Sequence, residues 1–334
     1  PYQTTGRSPW LQPWESERND NPRFPAQPAP AGILLAVYNG ADGLPAQLDS
    51  IAAQDDPDWR LLVSDDGSHD DSDALIAAFA GRMQGRRVVR LTGPGQGAAR
   101  NFLFLIRQWR AHLPPGSLMA FCDQDDVWLT DKLSRGRAAL AAVPEDVPAL
   151  YCSRTWITDD RLIGRRLSAK RPHAPGFRNA LVQNIASGNT ILLNPAAAAL
   201  VAAAADEVRD VVVHDWWVYL LVTGAGGRVL HDDTPTLLYR QHAGNQIGAN
   251  DHFRARCKRI RQLLRGDFRD WNARNIAALT ASAHRLTTEN RRLLEQFAAM
   301  RRAPLPARLW QLSRLRLYRQ SRPAQVALWL AAVL

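Results

Sequence analysis

Leu118-Met-Ala-Phe-Cys-Asp-Gln-Asp-Asp126 is a short apolar run that ends in three carboxylates within four positions. A run of this length between polar residues reads as a buried strand, and its acids then stand at the strand's C-terminal end. The same arrangement occurs upstream. Trp59–Ser64 (WRLLVS) runs into Asp65-Asp66-Gly67-Ser68, from which Ser68 is expected to cap a helix with Leu75, Ile76 and Phe79 on its apolar face. Gly32–Asn39 (GILLAVYN) is the expected first strand, followed by Leu44, Leu48 and Ile51 at helical spacing. Arg87–Leu91 is a further strand, and the turn Gly93-Pro-Gly-Gln-Gly97 leads into a helix carrying Phe102, Leu105, Ile106 and Trp109. Strands alternating with helices predict an α/β fold with a mostly parallel central sheet, and such sheets bind ligands at the C-terminal ends of their strands. Further strands are expected at Leu150–Ile157, Thr190–Leu193, Arg228–His231 and Leu237–Arg240, with helices at Ala196–Ala205 and Trp216–Val222.

The flanks differ from this core. Residues 1–31 hold frequent Pro and Gly and are expected to form an irregular leader onto which Trp10 and Trp14 can pack; 32–250 form the catalytic unit, and 251–334 a basic helical segment. Of a net charge of +10, residues 254–322 carry +14, with 18 Lys+Arg against 4 Asp+Glu, so the remainder is acidic on balance. Such a segment suits nucleic acid, acidic lipid headgroups or an anionic substrate. In that segment Ile260, Leu263 and Leu264, and Leu309, Leu312 and Leu315, lie among basic residues, and Pro323–Leu334 is a short greasy stretch. Basic residues interleaved with apolar ones suggest a surface lying on an anionic membrane, and helices packed on the catalytic unit with their arginines exposed are the equal alternative. No run of about 20 apolar residues occurs, so a full span is not expected. The N-terminus lacks the order of a secretory signal. Cys122, Cys152 and Cys257 lie far apart, which supports neither a disulfide framework nor a zinc site and fits a reducing compartment.

Asp123, Asp125 and Asp126 bring oxygen ligands close enough for two of them to reach one hard divalent cation, magnesium or manganese in preference to zinc. The plainer alternative is an acid-rich helix start. Asp65-Asp66-Gly67-Ser68 can present a carboxylate to a base or to ribose hydroxyls, or be an ordinary capped turn. His214-Asp215-Trp216-Trp217 offers one carboxylate whose pKa partial desolvation would raise, or else a helix start with Asp as its cap. Whether the two tryptophans stack on a sugar or fill the core is open at this level.

Taken together these stretches resemble glycosyltransferase family 2. The resemblance rests on Val37-Tyr38-Asn39, Gln47-Leu48-Asp49-Ser50-Ile51 with Gln54, Asp65-Asp66-Gly67-Ser68-x-Asp70, Gly97-x-x-Arg100-Asn101 and Asp123-Gln-Asp125-Asp126-x-Trp128-x-x-x-Lys132. Ser187-Gly188-Asn189-Thr190, His214-Asp215-Trp216-Trp217 and Tyr239-Arg240-Gln241-His242-x-Gly244-Asn245 extend it to about residue 248. The nearest branch is bacterial enzymes of surface polysaccharide, often rhamnosyl- or galactosyltransferases.

The resemblance implies an inverting enzyme of the A-type glycosyltransferase fold, using a UDP- or dTDP-sugar and a glycan or lipid-linked glycan acceptor on the cytoplasmic face of the cell membrane. It implies that Tyr38 and Asp65 hold the base and Asp66 the adjoining nucleoside, that Asn39 also belongs to the donor site, and that Arg100 reaches the base or phosphates. Asp123 would face ribose or metal, and Asp125 with Asp126 would ligate Mn2+ or Mg2+ at the diphosphate. Asp215 would be the catalytic base, with Arg240 and His242 near the leaving diphosphate. A nucleic-acid-binding protein is the rival that the basic segment raises; no recognisable module supports it and the acidic motifs would repel phosphate, so no nucleic acid is expected. A nucleotidyltransferase is the enzymatic rival, distinguished by release of pyrophosphate.

Overall fold

The computed structural model describes residues 29–83, 87–241 and 267–333. Its first half runs β1 (Ala31–Val37), α1 (Leu44–Ala52), β2 (Trp59–Asp65), α2 (Ser72–Arg82), β3 (Val88–Thr92), α3 (Ala98–His112), β4 (Leu118–Cys122), β5 (Val127–Trp128) and α4 (Lys132–Ala141). Then come β6 (Ala149–Thr158), β7 (Arg166–Leu167), α5 (Phe177–Ala180), a 3₁₀ turn at Gly188–Thr190, β8 (Leu192–Leu193), α6 (Pro195–Ala205), α7 (His214–Gly224) and β9 (Arg228–Arg240). The C-terminal part forms α8 (Asp267–Ala281), α9 (Thr288–Arg302), α10 (Leu305–Leu315) and α11 (Arg322–Val333). His242, Gly244 and Asn245, the apolar residues Ile260, Leu263 and Leu264, Cys257, and the leader with Trp10 and Trp14 lie outside the described residues.

The strands order β3-β2-β1-β4-β8-β6-β9-β5, with β7 beside β6. The β3-β2-β1-β4 half is wholly parallel, whereas β8 and β5 are two-residue antiparallel insertions and β6 pairs β9 in parallel. Alternation along the central strands explains their burial on both faces. Leu34, Leu62, Met119 and Phe121 point into one core with α3, α6, α7 and the C-terminal helices. Ile33, Leu35, Leu61, Val63, Ala120 and Cys122 point into the other, with α1, α2 and α4. Period two sends neighbours to opposite faces, and near-continuous apolar runs result because both faces are covered.

The loop Asp123–Asp126 requires the sheet to curl. Four strand spacings separate β4 from β5, about 19 Å in a flat sheet, yet only five residue steps join Cys122 to Val127, an extended reach of about 17 Å. The acid loop therefore crosses the ends of β8, β6 and β9, which brings three distant chain segments to it.

Several expectations change. The strands expected at Arg228–His231 and Leu237–Arg240 are one, β9, whose register against β6 shifts around Arg154, so the polar stretch His231–Pro235 is carried as an irregularity. Thr190 belongs to the 3₁₀ turn, and of the expected strand only Leu192–Leu193 pair in the sheet. Ser68 does not cap α2: its hydroxyl donates to Asp65 Oδ1 (2.7 Å) and accepts from Asn39 N (2.9 Å), and Asp71 is the N-cap residue. A cap competes here with a carboxylate three residues back, and the local turn prevails. The C-terminal helices join the first core through Leu279, Leu293, Phe297, Leu312, Leu315 and Ala332.

Candidate active site

β1, β2 and β4 deliver their C-terminal ends side by side, with Val37 opposite Asp65 and Leu35 opposite Cys122. The loop leaving each of these strands is held by side chains rather than by regular structure. Tyr38 N donates to Gln124 Oε1 (2.8 Å) and Gln124 Nε2 returns a bond to Tyr38 O (3.1 Å), locking the first strand end to the acid loop. Tyr38 presents its ring to solvent at 54% exposure. Asn39 adopts a left-handed conformation (φ 47°) and accepts from His69 N (2.8 Å), which joins it to the second loop. Asn is among the few non-glycine residues that occupy this region at low cost.

In the β2 loop the carboxylates are consumed locally. Asp65 Oδ1 accepts from Gly67 N (3.2 Å), Ser68 N (2.9 Å) and the Ser68 hydroxyl, while Oδ2 receives nothing among the described residues. Asp66, buried, accepts from Gly95 N (2.8 Å) and Gly97 N (2.7 Å), pinning the glycine turn before α3. Asp70 accepts from Ala41 N and Ser72 N, and its hydrogen bonds with Ser72 and Ala41 hold its carboxyl below the usual range. Arg100 is exposed, donating to Gln96 and standing 3.8 Å from Asp210.

The β4 loop is the opposite case. Burial, then the charges of Asp126, Asp125 and Asp215, push Asp123 well above the carboxylate range. Burial and Asp125 push Asp126 up to about 7, against the opposing pull of Asn189 and the Arg240 backbone. Asp126 is fully buried, with Oδ2 accepting from Asn189 Nδ2 and Oδ1 from Arg240 N (3.2 Å), so it ties the loop to the 3₁₀ turn and to β9. Arg240 completes this strut through Nε on Asp125 O (2.9 Å) and Nη1 on Asp160 O (2.7 Å). Gly43 lets α1 approach the same loop, since a Cβ there would lie 2.8 Å from the Asp125 Cα.

Beneath the loop, Lys132 is buried with Nζ 4.6 Å from the Trp128 ring centroid, and burial lowers its ammonium to about 8.

Asp215 faces this cluster from the first turn of α7, close enough for its charge to act on Asp123. Its oxygens accept from Gly188 N (3.0 Å), from Trp216 N (2.6 Å) and from the Asn184 side chain, yet burial prevails and raises it to about 6. Gly188 is required for this approach: a Cβ would come within 2.6 Å of His214 Nε2 and 3.4 Å of the Asp215 Cβ. His214 is buried, stacks on Phe102 at 3.7 Å between ring centroids and is pushed down to about 3 by burial, which keeps it neutral. Trp216 and Trp217 are buried core residues, the former donating to Ala180 O.

The structure therefore gathers Tyr38, Asn39, Asp65, Asp66, Asp123, Asp125, Asp126, Asp215 and Arg240 at one sheet edge; Arg100, in the first turn of α3, bonds Gln96 and pairs with Asp210 instead. Gln124, Asn184 and Gly43 carry positions in the site that the motifs did not single out; Gln124 and Gly43 sit inside or beside quoted stretches, whereas Asn184 has no sequence signal. A cavity of about 620 Å³ lined by Arg171, His173, His231 and Asp232 lies elsewhere, seven or more residues back along β9 from Arg240.

Residues 33–191 match the family described as Glycosyl transferase family 2. A curated relative, the dTDP-rhamnosyl transferase RfbG of Shigella flexneri, is 26% identical over 68% of this chain and 78% of its own length. A UDP-Glc:alpha-D-GlcNAc-diphosphoundecaprenol beta-1,3-glucosyltransferase of Escherichia coli, WfgD, is 24% identical over 49% of this chain and 61% of its own. Among solved structures, S. aureus TarS 1-349 in complex with UDP superposes with a TM-score of 0.52 at 13% identity, covering 79% of this chain and 69% of that one, a likeness of fold.

Proposed function

Since the chain belongs to glycosyltransferase family 2, we propose that it transfers a sugar, with inversion, from a UDP- or dTDP-sugar to a hydroxyl of a glycan or lipid-linked glycan acceptor in surface-polysaccharide synthesis at the cytoplasmic face of the cell membrane. The observation that carries the reading is the placement of Asp215 opposite the acid loop, near enough for its charge to act on Asp123. One side of such a site binds the diphosphate, and the other holds a base.

Tyr38, with its exposed ring, and Asp65, whose Oδ2 accepts no bond among the described residues, suit stacking on and bonding to a nucleobase. Asp66 acts by shaping the glycine turn beside the nucleoside, and Arg100, exposed in the first turn of α3, is assigned to the base or the phosphates by family resemblance. Among the described residues no three acidic, histidine or cysteine side chains form a ready-made cage. A hard cation held by one or two carboxylates completes its shell with phosphate oxygens and needs none. The crowding that raises Asp123 and Asp126 fits a cation at this loop, since a divalent charge would relieve it. With both Asp126 oxygens engaged, Asp123 and Asp125 are the residues assigned to Mn2+ or Mg2+. When bound, the ion supplies Lewis-acid stabilisation of charge on the departing diphosphate. Arg240 fixes the loop to β9, and His242 is assigned to the leaving group by family resemblance.

Asp215 takes the proton of the acceptor hydroxyl as that oxygen bonds to the anomeric carbon, and the electron pair of the broken bond leaves on the nucleoside diphosphate. A pKa of about 6 leaves the base ionised at neutral pH while making it a better proton acceptor than an ordinary aspartate. The decisive experiment is a thermal-shift panel of nucleoside diphosphates and nucleotide sugars with and without manganese, completed by a turnover assay on the best ligand. Release of nucleoside diphosphate is expected; release of pyrophosphate from a nucleoside triphosphate, or a salt-sensitive DNA shift without nucleotide-sugar binding, would assign the chain elsewhere.

A further inference from the structure

Among the described residues, α10 and α11 are covered on one side only. Leu312, Leu315, Leu317 and Ala332 are buried in the core that also holds Trp217. The opposite side of α11 exposes Val326, Trp329, Leu330 and Val333, a spacing of three and four residues that draws one stripe along the helix. Trp310 on α10, 59% exposed, adds to it, with the Arg314 guanidinium 4.7 Å above its ring. Residues 303–334 hold five arginines and no acidic residue. Arg314, Arg316 and Arg322 are exposed, whereas Arg308 is spent on the carbonyls of Ala303 and Ala332.

We propose that this stripe and its arginine collar dock the enzyme on an anionic phospholipid surface. Tryptophan and arginine at the border of an apolar stripe suit the headgroup boundary, where the ring is half in hydrocarbon and the guanidinium meets phosphate. The charge is complementary to an acidic bilayer and to no neutral one. The stripe occupies one side of the 12 described residues of α11, the arrangement of a helix lying along a surface.

The surface is rigidly tied to the base. Asn179 Nδ2 donates to Tyr318 O (2.9 Å), Arg178 bonds Leu315 O, and Gln320 N donates to Gln183 Oε1 (2.8 Å). The next residue, Asn184, bonds Asp215. A lipid-borne acceptor would thus meet the catalytic edge from the side on which the helices dock, a purpose that rests on the transferase reading above although the binding does not.

The test uses the full chain and sedimentation with vesicles of phosphatidylcholine alone or with about one third phosphatidylglycerol. Expected are binding that requires phosphatidylglycerol and weakens as salt rises from about 0.1 to about 0.5 M. The double variant Trp329→Glu/Leu330→Glu and the triple variant Arg314→Gln/Arg316→Gln/Arg322→Gln should each lose at least about tenfold in partitioning. Both change exposed side chains, and an unaltered nucleotide-dependent thermal shift would show them folded and donor-competent. Equal binding to neutral vesicles, no binding, or wild-type partitioning by both variants overturns the proposal. So does a dimer in light scattering that Trp329→Glu/Leu330→Glu dissolves, which would assign the stripe to a second copy. A chain that binds these vesicles but no nucleotide sugar would leave the docking surface standing and remove the transferase reading instead.

Discussion

Two aspartate-rich loops stand side by side at the sheet edge, and they differ in what their carboxylates have to bond to. After β2, Asp65, Asp66 and Asp70 accept bonds from backbone N–H groups of three separate turns, and Asp70 is held below the usual range by such bonds. After β4, Asp123 and Asp126 are raised by burial and by neighbouring carboxylates, Asp125 acting on both and Asp126 and Asp215 adding to the load on Asp123. Hydrogen-bonded carboxylates stabilise the loop that holds them, whereas crowded ones store unfavourable energy that a ligand can release. On the function proposed above, the first loop would be scaffold for the nucleoside end, and the second, with Asp215 facing it, the place of the chemistry.

The comparison breaks first at Asp215. Asp215→Asn keeps the shape of the side chain and removes its basicity, so turnover should fall about a thousandfold, the range for loss of a general base, while nucleotide-sugar affinity stays within about twofold. Near-normal turnover would remove Asp215 as the base. Next in size is the crowded loop: Asp125→Ala should lower manganese-dependent donor affinity about a hundredfold in a titration, a cost of about 2.7 kcal/mol. Unchanged affinity in manganese would place the cation elsewhere.

Asp66 tests the scaffold side. Asp66→Ala orphans the N–H groups of Gly95 and Gly97, bonded to it at 2.8 and 2.7 Å. Loss of charge-assisted bonds to a buried carboxylate should cost about 2 kcal/mol of stability and lower the melting temperature by a few degrees. Turnover per folded molecule at saturating donor should fall by less than about tenfold. A loss as large as that of Asp215→Asn with unchanged melting temperature would reverse the assignment of the two loops.

Legibility in the sequence depends on which interactions are local. The apolar runs at Ile33–Val37 and Leu61–Val63, and the acids at the ends of β2 and β4, are set by period and position, so the parallel half of the sheet and its ligand edge could be read directly. The environment of each acid could not. Asp66 and Asp126 are both the second of a consecutive aspartate pair, yet one meets glycine N–H groups 29 and 31 residues on and the other meets Asn189 and Arg240 across the curled sheet. Ser68 shows the same limit on a shorter scale, because a cap and an Asp65 contact were both open to it. Asn184 was invisible, since only the packing of the segment after α5 brings it to Asp215.

That last contact gives the finest probe of the difference between the loops. Asp215 is a carboxylate of the crowded kind that has been partly rescued by hydrogen bonds, with burial raising it and Trp216 N, Gly188 N and Asn184 opposing that rise, to leave it at about 6. Because its folded value lies above the unfolded value of about 3.9, the folded protein holds the extra proton between these limits, and the group costs stability as pH rises from about 4 through 6. The activity limb runs the other way: kcat/KM should drop about tenfold per pH unit below about 6 as the base is protonated. Asn184→Ala removes a donor that favours the ionised form, so the limb should move upward by about half a unit, with little change in plateau turnover. A limb that stays in place while turnover falls would mean that Asn184 supports the fold of the 177–184 segment and leaves the proton affinity of Asp215 to burial and the backbone N–H groups around it.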